Sequence, residues 1–166
     1  MAARTAIELD DVDRRILELL QRDGRMTNAA LADAVGLTAT PMLQRIRKLE
    51  QAGVIRGYAA VVDAAKVGRP VLAFVHVTLQ HHGPVPHQKL VALAGTLEDV
   101  LECHHIAGEE DFLLKVVARD IPELERLILH ELSASGVVGR IKTTLVFSSS
   151  KLAGAVPVSE PEEAHP

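Results

Sequence analysis

The amino-acid sequence predicts an α+β protein of two domains, and three observations carry this prediction. Apolar residues recur at helical spacing through residues 10–53. From residue 70, strand-like runs and two amphipathic stretches follow in the order βαββαβ. Residues 1–57 carry nine Lys or Arg and eight Asp or Glu, whereas residues 58–166 carry nine and fourteen. The net charge therefore changes from +1 to −5, which indicates two domains with different partners.

The composition excludes several classes of protein. The chain is 48% hydrophobic and 24% charged, which is typical of a globular protein. No apolar run approaches the roughly 18–20 residues that a membrane span needs, so we expect no membrane partner. The N-terminus lacks the apolar run of a secretory signal, and the single Cys103 cannot form an internal disulfide. We therefore expect a cytoplasmic protein.

Nucleic-acid binding through stacked bases is not supported by the composition. The chain has no tryptophan, one tyrosine and three phenylalanines. Binding of single strands on aromatic platforms needs several exposed rings. Any contact with nucleic acid would have to use other side chains.

The first predicted helix begins after Asp10. This residue is a candidate N-cap, and acidic residues follow in the first turn, where the helix dipole favours negative charge. Apolar residues at helical spacing continue to Leu20. The helix should end near Asp23 and Gly24, because glycine commonly follows a helix C-terminus.

Two further helices are predicted on either side of Gly36. The second helix starts after Thr27 or Asn28 and stops at Gly36, because glycine enters a left-handed turn at low cost. Thr38 can cap the third helix, which Gly53 closes. A short second helix, a tight turn and a third helix without acids in its first turns form the pattern of a helix-turn-helix.

The third helix is predicted to present a polar and basic side opposite an apolar stripe of Leu43, Ile46 and Leu49, with Met42 beside it. Such a helix fits the major groove of DNA, where Gln44 can address a base edge and Arg45 guanine or phosphate. The free amides at the start of the second helix can bind another phosphate. The candidate DNA-binding residues are Arg25, Asn28, Thr38, Thr40, Pro41, Gln44, Arg45 and Lys48. The alternative is an ordinary three-helix packing unit with a solvated basic face.

These segments resemble the DNA-binding domain of the Lrp/AsnC family of leucine-responsive, or feast/famine, transcription regulators. The resemblance is carried by residues 9–20, Asp23-Gly-Arg25, Leu31-Ala32, Val35-Gly-Leu-Thr-Ala-Thr-Pro41 and residues 45–55. It includes the Thr-Pro pair that opens the recognition helix. The resemblance implies a sequence-specific DNA-binding regulator, so double-stranded DNA is the expected partner.

The C-terminal half is predicted to form a ferredoxin-like domain. Each of two similar units consists of a strand, a helix and a strand, which is the split βαβ arrangement. The predicted elements are strands at 57–63, 71–80, 99–107, 111–118 and 138–148, and helices at about 86–96 and 121–134. The predicted domain bounds are 1–57 for DNA binding, 58–69 for a linker strand and connector, 70–151 for the ferredoxin-like domain and 152–166 for a disordered tail.

A sheet with both helices on one side leaves its other face uncovered. The expected occupants of that face include Leu72, Phe74, Leu113 and Val146, or their alternating neighbours. An apolar face of this size requires a partner subunit. The family resemblance, which extends over residues 7–151, likewise implies a homodimer and further assembly into octamers. Residues 136–143 depart from the family pattern, because the turn into the last strand is one residue longer than usual.

The acidic turn, defined here as Gly108, Glu109, Glu110 and Asp111, is the candidate effector site. Residues 102–115 match a recurring strand-turn-strand segment of the family, and the resemblance implies that an amino acid binds there, in a cleft between dimers. Backbone amides can hold its carboxylate while Asp111 or Glu110 receives its ammonium group. His105 would face the same cleft and contact the effector side chain. The alternative is an ordinary acidic hairpin turn, because these are common turn residues.

Metal and enzyme hypotheses are weaker. The histidine pairs at 81–82 and 104–105 invite a metal site, but neighbours on a strand point to opposite faces, so only Cys103 and His105 share one. Two ligands are too few, and no glycine-rich nucleotide motif is present. We therefore expect no cofactor, no metal and no enzymatic activity. A small-molecule-binding module that regulates a protein partner remains an alternative to a DNA-binding regulator, and a metal-dependent enzyme is a third.

Overall fold

The computed structural model describes residues 8–81, 83–152 and 154–158, and these divide into two compact units. The helical unit contains the described residues up to Ala60 together with those from Lys151 onward. The sheet unit is Val61–Ser150. Among the described residues, no helix is long and apolar enough to cross a membrane.

The helical unit begins with the three predicted helices, which are α1 (Asp11–Arg22), α2 (Asn28–Val35) and α3 (Ala39–Gln51). The Asp10 carboxylate accepts a hydrogen bond from the Asp13 amide at 2.8 Å, and the Thr27 hydroxyl accepts one from the Ala30 amide at 3.2 Å. Gly36 ends α2 with φ of 70°. These local predictions are confirmed. Thr38 occupies the N-cap position of α3, but its hydroxyl makes no capping hydrogen bond.

The core of the helical unit differs from the predicted stripe in one position. Met42 is fully buried on α3, together with Ile46 and Leu49, whereas Leu43 is only half-buried. The predicted centre of the stripe is therefore displaced by one residue, because α3 presents its Met42 side to the apolar faces of α1 and α2. The other buried members of this core are Ile16, Leu17, Leu31 and Ala32.

The sheet unit contains the predicted βαββαβ elements. They are β1 (Val71–Leu79), α4 (Pro84–Thr96), β2 (Val100–His105), β3 (Phe112–Ala118), α5 (Ile121–Arg126) and β4 (Val138–Leu145). The sheet order is β2-β3-β1-β4 with every neighbouring pair antiparallel, which confirms the ferredoxin-like fold. The second helix is less regular than predicted, because it continues from α5 as a π-helical turn over Leu127–Leu132 and a short 3₁₀ turn over Ser133–Ser135.

The prediction of a strand at 57–63 is wrong, because the single chain forms no strand there. This segment pairs with no strand among the described residues, and Val61 is 94% exposed. A strand exists only where its backbone groups meet those of a neighbour, so β-propensity alone does not form one. The connector after it forms a short 3₁₀ turn at Ala65–Val67.

The two faces of the sheet differ as predicted. Ala73, Val75 and Val77 of β1 are fully buried and pack in one cluster with residues of both helices, such as Leu90 and Leu127. The alternate residues point to the opposite face and are only half-buried; they include Leu72, Phe74, His76, Thr78 and Leu113. Both helices therefore pack on one face and leave the other open within the described chain.

A β-bulge lies near the start of β4. Thr78 pairs with Arg140 and Leu79 pairs with Val138, so Gly139 has no pairing partner. A Cβ atom at Gly139 would lie 3.1 Å from the Cα of Gln80, which is closer than ordinary packing allows. The bulge therefore lies where the two backbones approach closely, which favours glycine at position 139.

The tail from residue 152 is not disordered throughout, in contrast to the prediction. Val158 packs against the core of the helical unit, and the Gln21 side chain bonds the backbone of Val156. The prediction used the proline and glutamate content of the whole segment, whereas the valines of 154–158 provide apolar side chains for packing. Residues 153 and 159–166 lie outside the described residues.

Candidate functional site

Most of the predicted DNA-binding residues lie on the surface of the helical unit. Arg25, Asn28, Thr38, Thr40, Gln44 and Lys48 are exposed, whereas Pro41 and Arg45 are half-buried. Thr40, Gln44 and Arg47 are exposed at a spacing of four and three residues, so they lie along one side of α3. We call these three residues the exposed ridge. Arg47 was not among the predicted site residues, and it makes no ion pair with any described residue.

A buried carboxylate joins α1 to α3. Asp13 is 0% exposed, and its two oxygens accept hydrogen bonds from Arg45 at 2.7 Å and from Lys48 at 3.2 Å. Arg45 also donates to Asp10 at 2.6 Å. We call these four residues the ionic network. Burying a carboxylate costs free energy unless it is paired and hydrogen-bonded. Arg45 and Lys48 therefore offset the desolvation cost of Asp13.

Asp10 and Arg45 stabilise each other's charged forms. The Asp13 backbone amide and then the Arg45 guanidinium lower the pKa of Asp10 below its ordinary value of 3.8. Asp10 and Asp13 in turn raise the pKa of Arg45. Because the pKa of Asp10 is lowered in the folded state, its stabilising contribution is present above pH 3.8 and is lost as the pH falls through the folded-state pKa.

The network changes the interpretation of two predicted DNA contacts. The Arg45 side chain is 29% exposed and its guanidinium lies against the acids of α1, whereas Lys48 remains 50% exposed. Both residues were predicted to contact DNA, whereas the role of Asp13 was not predicted. One signal was available, since Asp13 occupies the position between Leu9 and Leu17 on the apolar side of α1. A carboxylate at a core-facing position predicts that a cationic side chain pairs with it.

The N-terminus of α2 has the features of an anion-binding helix end. Thr27 caps the helix through Ala30, and Asn28 and Arg25 are exposed beside it. The Arg25 amide donates to the Asp23 carboxylate at 2.9 Å, which fixes the turn before the helix. The guanidinium of Arg25 forms no ion pair within the described chain, so it is available to a phosphate.

The acidic turn of the sheet unit is anchored to β1 by Asp111. Its amide donates to the Val77 carbonyl at 2.9 Å, and its carboxylate accepts from the Leu79 amide at 2.8 Å. Its carbonyl accepts from the Ile106 amide at 3.0 Å, which closes the turn. Asp111 therefore holds the turn in place through its side chain, a role that the sequence did not reveal because the two segments lie 32 residues apart.

The other members of the turn are more open. Gly108 and Glu109 are exposed, and the half-buried Glu110 lies 3.5 Å from the Lys142 ammonium on β4. Among the described residues, the amides of 107–110 donate no hydrogen bond to the protein. The turn thus offers free amides next to carboxylates, which is the arrangement that a zwitterion requires.

His105 lies beside the acidic turn, in a small aromatic cluster. Its ring meets His87 of α4 edge to face at 4.7 Å between centroids and lies 5.2 Å from Phe112. His87 was missed, since a histidine in the first turns of a helix carries no local signal. Cys103 shares the helix-covered face with His105, as predicted, and burial raises the pKa of its thiol. Within the described chain, no three His, Cys, Asp or Glu side chains are placed to hold a metal ion.

Comparison with known proteins gives consistent results for both units. The family described as winged helix-turn-helix DNA-binding matches residues 9–56, and the Lrp/AsnC ligand binding domain matches residues 72–156. A leucine-responsive regulatory protein of Rhizobium meliloti is 40% identical over 145 residues, which cover 87% of this chain and 93% of the relative. The HTH-type transcriptional regulator AldR of Mycobacterium tuberculosis is 38% identical over 151 residues, or 91% of this chain and 83% of that one.

Solved structures agree with these relatives. The transcriptional regulator NMB0573 of Neisseria meningitidis, solved as a complex with L-Met, superposes with a TM-score of 0.85 at 30% identity and covers 90% of this chain and 97% of its own. An AsnC family transcriptional regulator from Agrobacterium tumefaciens gives a TM-score of 0.82 at 30% identity, with the same coverage. The matching families and the named relatives are transcriptional regulators, not enzymes.

Proposed function

Because this chain belongs to the Lrp/AsnC family of DNA-binding transcriptional regulators, we propose that it binds specific duplex sequences with α3 and that an amino acid bound by the sheet unit modulates this binding. The main support for DNA binding is the exposed ridge of α3. The ionic network holds this helix against α1 and leaves the ridge accessible. A regulator of this kind works at the chromosome, so the proposal includes a cytoplasmic location.

The exposed ridge fits the major groove. An α-helix enters this groove, and a glutamine amide can pair in a bidentate way with adenine, so Gln44 is the candidate for base recognition. Arg47 and Lys48 supply positive charge for phosphates on either side, and Thr38 and Thr40 lie at the start of the helix, where hydroxyls contact the backbone of DNA. Pro41, in the first turn, stiffens that end. Arg25 and Asn28 at α2 are the candidates for another phosphate.

The amino-acid part of the proposal rests on the acidic turn. Its amides can receive a carboxylate, and Glu110 and Asp111 can receive an ammonium group. The sheet unit has eleven Asp or Glu and eight Lys or Arg, so a simple anion would be repelled whereas a zwitterion is neutral overall. A relative of similar fold was solved with L-Met, which supports an amino acid as the effector class.

A homodimer, with octamers as the further assembly, is part of the proposal. On the open face of the sheet, His76 Nδ1 and Thr78 Oγ1 are buried atoms without a hydrogen-bond partner among the described residues. Buried polar atoms are rarely left unpaired, so a covering subunit would explain them. We expect sedimentation at micromolar concentration to give a dimer or a larger species. A single sedimenting monomer would contradict this.

Binding to duplexes at several salt concentrations tests the DNA part. A duplex selected by the protein from a random-sequence pool should bind, and the logarithm of the affinity should fall with the logarithm of the salt concentration by about 0.9 for each phosphate neutralised. A scrambled duplex of equal composition is the control. If no duplex is selected above the scrambled control, the protein would instead be a small-molecule module that acts on a protein partner.

Asp111→Asn separates the charge of the acidic turn from its structural role. The asparagine carbonyl oxygen can still accept the Leu79 amide, but the negative charge that would receive an ammonium group is lost. We expect amino-acid binding, measured by calorimetry, to weaken about ten- to hundredfold, which corresponds to about 1.5–3 kcal/mol. Binding to DNA without effector should stay near normal.

Asp120→Asn is the matched control for this prediction. Asp120 caps α5 by accepting the Glu123 amide at 2.8 Å, and it follows the opposite end of β3 from the acidic turn. Asparagine caps helices about as well as aspartate, so this variant should bind the effector like the wild type. Equal amino-acid affinity of the wild type and Asp111→Asn would contradict the proposed effector site and favour an ordinary hairpin turn.

A further inference from the structure

Residues 154–158 are bound to the helical unit through both their backbone and a side chain. The Gln21 amide nitrogen donates to the Val156 carbonyl at 3.0 Å, and the Val156 amide donates to the Gln21 side-chain oxygen at 2.6 Å. One glutamine thus pairs with both backbone groups of a single residue. The two partners lie 135 residues apart in the chain, so this contact is not a local turn.

The last described side chain of the segment is its main apolar contact. Val156 is 71% exposed, whereas Val158 is half-buried and packs against the core of the helical unit. Pro157 between them restricts the backbone to an extended conformation, which lowers the entropy lost on docking. Backbone hydrogen bonds together with an apolar side chain that packs against the receiving surface are features of peptide recognition by an edge or groove.

An apolar groove lies between α1 and the chain that follows α3, and the segment forms part of its wall. The apolar lining consists of Leu9, Leu17, Leu20, Val54, Ile55 and Tyr58, together with Val156, Pro157 and Val158 of the segment itself. Gln21 stands at its border as the polar contact. An apolar groove with one group that fixes the orientation of its occupant is a typical binding site for a short segment.

We propose that this groove is a peptide-docking site whose occupant is residues 154–158 of the same chain, and that docking gives the sheet unit a second, releasable connection to the helical unit. The first connection is the continuous chain at Ala60 and Val61, and the second starts at Ser150, where the sheet unit ends. Five residues form too small a contact to bind tightly by themselves, but a short tether raises their effective concentration to the millimolar range. The docked state is therefore populated and reversible.

The proposal is tested on the full chain by amide exchange at Val156. Its N–H donates to Gln21, so we expect it to exchange more slowly than an unstructured amide. Gln21→Ala removes both hydrogen bonds and should raise the exchange rate about tenfold. Gln21 is an exposed residue in the last turn of α1, and alanine is the best helix former, so the variant should fold normally.

Gln51→Ala is the matched control, because Gln51 is also an exposed glutamine in the last turn of a helix, here α3. This variant should leave the exchange at Val156 unchanged. Exchange at the rate of an unstructured chain in the wild type would overturn the proposal. Protection that disappears on dilution would also overturn it, since the occupant would then be the segment of a second copy.

A second measurement uses a full-chain variant whose own segment is released. Val158→Asp places a charge against the apolar core and should empty the groove. A synthetic peptide of residues 151–160 should then bind to this variant saturably, and the added substitution Gln21→Ala should weaken that binding about tenfold. Failure of the peptide to bind would overturn the proposal. Neither measurement involves DNA, so its outcome is independent of the proposed function.

Discussion

Arg45→Ala is expected to lower the free energy of unfolding of the helical unit by about 3 kcal/mol. Asp13 is fully buried, and the substitution would leave it with Lys48 alone at 3.2 Å. Removal of one partner from a buried ion pair is strongly destabilising, because the remaining charge has lost its water without compensation. Urea denaturation followed by circular dichroism measures this effect.

Arg47→Ala is the matched control for the stability measurement. Arg47 lies two residues further along α3, is exposed and forms no ion pair within the described part of the chain, so its loss should change stability by no more than about 0.5 kcal/mol. Asp13→Leu combined with Arg45→Met should recover much of the loss, because a buried pair replaced by apolar groups is often neutral. Equal stability of Arg45→Ala and Arg47→Ala would show that the ionic network contributes nothing.

Substitutions on the exposed ridge are expected to have the second large effect, on DNA. Gln44→Ala should relax the preference at one base position by about 1–3 kcal/mol, because a bidentate contact with a base edge is lost. Arg47→Ala should weaken binding to all duplexes alike. It should also reduce the slope of log affinity against log salt concentration by about the contribution of one phosphate contact. Binding to the selected duplex and to its single-base variants separates the two outcomes. Wild-type binding by both variants would show that the ridge does not enter the groove.

The two basic residues of the ionic network are distinguished by the same salt series. Lys48 is half-exposed, so Lys48→Ala is expected to weaken binding to all duplexes and to lower the salt dependence. Arg45 is directed to Asp10 and Asp13, so Arg45→Ala should lower affinity by displacing α3 while the salt dependence stays the same. A fall in the salt dependence of Arg45→Ala would mean that Arg45 leaves the acids of α1 for a phosphate.

The features that the sequence predicts well are those that depend on neighbouring residues. Asp10, Thr27 and Gly36 cap or end their helices through groups within four residues, so the helix-turn-helix could be placed directly. The βαββαβ order followed from the spacing of apolar runs. The faces of the sheet followed from alternation, because β1 needs one buried side.

The features that were missed depend on residues far apart in the chain. Asp13 meets Arg45 across 32 residues, and Asp111 meets Leu79 across the same separation. The expected strand at 57–63 failed for the related reason that no described strand of this chain lies beside it. Neither composition nor periodicity predicts contacts between residues that are distant in the chain. The acidic turn could therefore be located from the sequence, but the hydrogen bonds that join Asp111 to β1 could not be predicted.

The docking of residues 154–158 has a consequence for the order in which the protein folds during synthesis. The three helices of the helical unit leave the ribosome first, but the segment that completes their apolar groove follows the whole of the sheet unit. While residues 61–150 are being translated, the groove stays open on a nascent domain. The helical unit therefore matures in two stages, and its second stage waits until the sheet unit has been made.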